Sequence, residues 1–123
     1  MRTALDYLIF DYSEDEEGSA TWDAMATVAA ERWPDLKQEV LQVLEWAEQQ
    51  FPQQRGPLDE GASWDYDLTL SSGNGDPIDL RVQHQPLQLL HAPLPAGTQL
   101  TLTLTLTGRS AFADALFHAF ELE

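Results

Sequence analysis

Three segments alternate with period two, and they constrain the fold more than anything else in the chain. "WDYDLTL" sets Trp64, Tyr66, Leu68 and Leu70 against Asp65, Asp67 and Thr69. "IDLRVQH" sets Ile78, Leu80, Val82 and His84 against Asp79, Arg81 and Gln83. "LTLTLTLT" sets Leu100, Leu102, Leu104 and Leu106 against Thr101, Thr103, Thr105 and Thr107. Successive side chains of a strand point to opposite faces, so each segment predicts an antiparallel strand packed on one side and wet on the other. "SSGNGDP" between the first two is dense in turn formers and predicts a hairpin. In its expected register Asp67 faces Arg81, an exposed pair worth under about 1 kcal/mol. The Leu/Thr segment has strong β propensity and no charge. On an open edge it would be an aggregation hazard, so it is expected inside the sheet or buried in a dimer.

The remaining elements are arranged around these strands. "ALDYLIFDY" (Ala4 to Tyr12) is short, aromatic and β-branched, and predicts a first strand. "SEDEEGSA" has no periodicity and is a loop whose Gly18 is free to take a positive φ. Trp22 to Ala30 fits either period: Trp22, Ala26, Ala29 and Trp33 a helix face, or Trp22, Ala24, Ala26 and Val28 a strand face. The strand is preferred, because the next helix has its own start at Pro34 and Asp35. That helix carries Leu36, Val40, Val43, Leu44, Ala47 and Phe51 on one stripe and is closed by Pro52. In the Pro-rich stretch after His84, Leu87, Leu89 and Leu90 read as a plug at the core edge or a short edge strand. Gly108 breaks the last strand and Ser110 is placed to cap a final helix with Phe112, Ala115, Leu116, Ala119 and Phe120 on one face.

The order β-β-α-β-β-β-α predicts one α+β domain over residues 1–123. Its economical form is a two-layer sandwich: a mainly antiparallel sheet of about five strands with two helices on one face. The chain length of 123 residues suits a single core.

Charge sets the class of partner. Twenty-one acids against six bases give a formal charge of −15. Such a field repels phosphate backbones and anionic lipid, so neither nucleic acid nor membrane is expected as a partner. A basic protein is the partner it permits, and the bland alternative is solubility. The Thr face or an edge strand is also compatible with a homodimer. No apolar run approaches membrane-spanning length and no secretory pattern opens the sequence, so a cytoplasmic location is expected.

Motifs for chemistry are sparse. There is no Cys, hence no disulfide or thiol chemistry. The acidic stretch Asp11, Glu14, Asp15, Glu16, Glu17 is followed by Gly18, as in a calcium loop, but the position needing a bidentate Glu is Ala24. A solvated hairpin tip, or weak divalent-cation binding there, is what remains. His84, His91 and His118 lack close-spaced metal-ligand partners, so no metal and no cofactor are expected. Asp65 and Asp67 share a face about 6–7 Å apart, a spacing seen in glycoside hydrolysis, but that chemistry needs one carboxyl desolvated and both are expected on the wet face. No nucleophile, phosphate-loop or zinc-protease motif occurs, and no catalytic residue is assigned. The expected role is a small acidic, non-enzymatic protein-interaction domain, inhibitor-like in kind, acting through Asp11 to Glu17. The alternative is an enzyme or ligand-binding domain with a pocket between sheet and helices, bordered by Trp64, Tyr66, His84 and His91.

Overall fold

The Leu/Thr strand lies at the centre of the sheet. In the computed structural model, which describes residues 5–16, 18–84, 87–94 and 97–120, the elements run β1 (Phe10–Glu14), β2 (Ala20–Ala29), α1 (Trp33–Gln50), β3 (Trp64–Ser72), β4 (Leu80–Gln83), β5 (Gln88–His91), β6 (Gln99–Gly108) and α2 (Ser110–Phe120). Sheet A is antiparallel with order β1-β2-β6-β3, and β4 and β5 form a separate antiparallel pair, sheet B. The protein is α+β, with a mainly antiparallel sheet and two helices. Six strands replace the five expected, because Leu89 and its neighbours do form a short strand, β5. β6 is paired on both sides, so its main-chain groups are not left open to another chain.

Sheet A follows the alternation closely. Leu100, Leu102, Leu104 and Leu106 are fully buried. Trp22, Ala24, Ala26 and Val28 of β2 are buried on the same face. The ambiguous Trp22 segment is therefore strand, as preferred. Helix α1 begins one residue before Pro34 and buries Leu36, Val40, Val43, Leu44 and Ala47. Helix α2 buries Phe112, Ala113, Leu116 and Phe120. Both stripes join the sheet's inner face in one core. Trp64 lies parallel to Phe112, ring centroids 5.4 Å apart at 1°. The approach depends on Gly108, where a Cβ would stand 2.3 Å from a Phe112 ring carbon. No helix among the described residues is long and apolar enough to cross a membrane.

Two expectations need correction. The first strand starts at Phe10, not near Ala4, which lies outside the described residues. The chain before it is captured by a buried carboxylate. Glu39 of α1, 7% exposed, accepts the N–H groups of Asp6, Tyr7 and Leu8 at 2.8–3.1 Å. Main-chain donors spent on a side chain cannot join a ladder.

The second concerns the β3–β4 hairpin. It closes at its turn, with a bridge between Ser71 and Pro77 and Ile78 N–H donating to Leu70 O at 2.8 Å. Carried further, that register would set Asp67 opposite Arg81, as expected from sequence. The ladder stops first. β4 pairs with β5 instead, and Arg81 stands 3.8 Å from Asp79. Sheet B is drawn toward α1: Leu89 is 2% exposed in the core, and Trp33 Nε1–H donates to His91 Nε2 at 3.0 Å.

Candidate functional site

Two places merit a functional reading: the outer face of sheet A, and a polar cluster at the mouth of the β3–β4 seam.

The outer face is built by strand parity. Across sheet A the registers align Asp11 with Asp23, Asp23 with Thr105, and Thr105 with Asp67. The next row is Ser13, Thr21, Thr107 and Asp65. Neither helix covers this face, since both pack on the other. Thr105 Oγ1 donates to Asp23 Oδ1 at 2.6 Å, and the hydroxyls of Thr27 and Thr101 are 3.0 Å apart. Carboxylates directly opposite one another, as Asp11 and Asp23 are, disfavour the sheet. No Lys, Arg or His occurs in any strand of sheet A. The bases lie elsewhere. Arg32 stands 3.8 Å from Asp35 and Arg55 3.2 Å from Glu48, while Arg109 donates to the carbonyls of Ala62 and Leu58.

The acidic hairpin tip continues this face at one end. Asp11, Glu14, Asp15 and Glu16 are all exposed, and Glu17 lies outside the described residues. Two of the acids have local duties. Asp15 closes the turn: its Oδ1 accepts from Ser19 N–H at 2.9 Å, while Gly18 adopts φ 85°. Glu14 accepts the Tyr12 hydroxyl at 2.6 Å, and that bond is the main cause of a Tyr12 pKa above its ordinary 10.0. Among the described residues, no three His, Asp or Glu side chains stand together in a way that could hold a metal ion.

The second place brings together only part of the expected pocket. Tyr66 and His84 meet, with the hydroxyl 3.5 Å from Nε2. Trp64 is fully buried and stacked in the core, and His91 is engaged by Trp33 at the start of α1. His84 was expected on a buried strand face. It falls instead in the turn after β4, and its side chain is 31% exposed. Its partners are Glu48, at the end of α1, and Arg55, in the following loop. Neither carries a local signal: Glu48 reads as helix surface and Arg55 as loop.

The cluster's hydrogen bonds assign its protons. Arg55 has only donors, so the 2.9 Å contact between its Nη1 and His84 Nε2 places the imidazole lone pair on Nε2. The ring proton is then on Nδ1, 3.5 Å from Glu48 Oε1. That oxygen is shielded from water and stands 3.2 Å from the Arg55 Nε, at ion-pair distance but without a well-aligned hydrogen bond. Arg55 also lies over the Tyr66 ring at 5.5 Å. Burial pushes the Tyr66 hydroxyl above 10.0, with Arg55 pulling the other way. With Nε2 already engaged, the cluster chiefly ties the end of α1 to β3 and to the end of β4. Beside it is a cleft of about 520 Å³, bordered by Glu45, Glu48, Arg55, His84 and Leu87 and by Gln53. Gln53 takes φ 60°, a left-handed conformation unusual outside glycine.

Comparison with protein-family models, with curated proteins and with solved structures returned no match for this chain.

Proposed function

We propose that this protein is a small acidic binding domain whose open sheet face receives a basic protein partner. The observation that carries the reading is the row Asp11–Asp23–Thr105–Asp67, three carboxylates across four strands with no base in the sheet. Like charges set opposite each other oppose the fold locally, and such conflicts are characteristic of functional surfaces. The hairpin-tip acids Asp11, Glu14, Asp15 and Glu16 extend the same field, so a partner meets acid from the tip to β3. Complementary charge at this scale chiefly speeds and steers association. The role is binding or inhibition, without chemistry of its own.

Titration of the labelled protein with a lysine-rich peptide tests this by NMR. Perturbed amides should cluster at Thr21, Asp23, Thr105 and Asp67, and affinity should fall from low to physiological salt. Perturbation centred on the helices, or salt-independent binding, would count against it.

A second reading, a small-ligand site, rests on Gln53. Strained backbone concentrates at ligand sites, and this residue stands at the lip of the His84 cleft. A fragment screen by NMR decides it: hits shifting His84 and Gln53 together support a site, and a screen without such hits removes it.

A further inference from the structure

The open part of the β3–β4 hairpin has matched, unused main-chain groups on both sides. Trp64 O accepts from Gly56, Leu70 O accepts from Ile78, and Ser72 N–H donates to Asp76 O, all on the side of β3 away from β6. Main-chain groups alternate sides along a strand, so the N–H and C=O of Leu68 and the C=O of Tyr66 point the same way, into the seam. The Tyr66 N–H is taken locally by Asp65 Oδ1 at 2.9 Å. On the other side, Asp79 O accepts from Ala92, which turns the odd residues of β4 toward β5. The N–H and C=O of Leu80 and Val82 therefore face β3. The strands belong to different sheets, and no ladder joins them here.

These groups line real space. One cleft of about 450 Å³ runs along Leu68, Thr69, Ile78 and Leu80. An adjoining one of about 290 Å³ is bordered by Tyr66, Leu68, Leu80 and Val82, by Asp65 and Asp67, and at one end by Arg55, which Glu48 already meets at 3.2 Å. Main-chain N–H and C=O groups without a ladder partner are a template on which another strand can pair. The side chains beside them alternate in chemistry. Tyr66, Leu68, Leu80 and Val82 are partly buried on the core side. Asp65, Asp67 and Asp79 stand on the outer side, against Arg81, which Asp79 already meets.

We propose that this seam accepts an extended segment of a basic partner as an added strand. Its apolar side chains lie over Leu68, Leu80 and Val82, and its Lys or Arg side chains stand beside Asp65 and Asp67. This rests on the reading of sheet A as a face for basic partners and names how such a partner engages it. Main-chain hydrogen bonds supply affinity and the alternating pockets supply specificity, as in other strand-addition complexes.

The test uses the full chain and three synthetic hexapeptides: alternating lysine and valine, the same composition in two blocks, and the alternating peptide N-methylated at every second residue. The alternating peptide should slow hydrogen exchange at Leu68, Leu80 and Val82. Loss of two main-chain bonds by N-methylation should weaken it about tenfold. A double variant, Asp67→Cys with Arg81→Cys, supplies a second handle. These positions form a pair without hydrogen bonds if the ladder zips, a geometry a disulfide can bridge. Oxidation should shut the seam and abolish the difference between the peptides, and reduction should restore it. Two results overturn the inference. One is slow exchange at those three amides without peptide, which would mean that the hairpin closes on itself. The other is equal binding of all three peptides with shifts confined to Asp11, Asp23 and Thr105; this leaves the acidic face standing without the seam. Absence of any binding at low salt overturns both.

Discussion

Sheet A is flanked by two hairpins of similar sequence logic, and they end differently. In the β1–β2 hairpin the ladder runs unbroken from Phe10 opposite Ala24 to Glu14 opposite Ala20. In the β3–β4 hairpin it stops just beyond the turn, at Ser71 and Pro77. Apolar pairing does not explain the contrast, since Tyr66 with Val82 and Leu68 with Leu80 would make good cross-strand pairs. The competing attachments do. β2 is held by β6 along its whole length, so β1 zips onto a fixed template. β4 is shared with β5, which Leu89 and His91 anchor toward α1.

The sharpest way to break the closed hairpin is at Trp22, 3% exposed and packed 4.4 Å from the Tyr12 ring. Trp22→Ala should remove about 3–5 kcal/mol and unfold the chain cooperatively, read by denaturant melts. On the open side, Leu89→Ala should cost about 2–5 kcal/mol if sheet B unfolds with the core. If the attachment is local, amide exchange will accelerate at β4 and β5 first, while the β1–β2 amides keep their protection. The smallest effect is alkaline. Burial raises the folded Tyr66 pKa above the unfolded 10.0, so the folded state holds that proton more tightly. Stability from this group is complete below the unfolded value and is lost as pH rises through the folded one. Tyr66→Phe should therefore flatten the fall in Tm above about pH 10.

Much of sheet A could be read from the chain because its strands obey a period of two and one face is buried. The lack of charge in β6 pointed to the sheet interior or to burial in a dimer, and the pairing of both its edges shows the first. Residues 6–8 could not be read, because Glu39 has the composition of a surface residue and shows its role only once α1 lies over the chain end. The fate of β4 also depended on where Leu89 lands, a contact between distant segments. The candidate site was legible in part. The acids of the tip and of β3 were visible, and so were Tyr66 and His84. Their convergence with Glu48 and Arg55, and the alignment of Asp11, Asp23 and Asp67 in one row, needed the sheet order.

Both hairpins contribute to the open face, Asp11 and Asp23 from the closed one, Asp65 and Asp67 from the open one. Whether position or mere net charge makes it a binding face is decided by two variants of equal charge. Asp23→Lys with Asp67→Lys reverses the sheet row, and Glu31→Lys with Glu45→Lys makes the same change on the helix side. A lysine-rich peptide should bind the first variant at least about tenfold more weakly than the parent at low salt, and the second within about threefold. Equal weakening of the two would contradict a binding face on the sheet and leave the acids as general solubility.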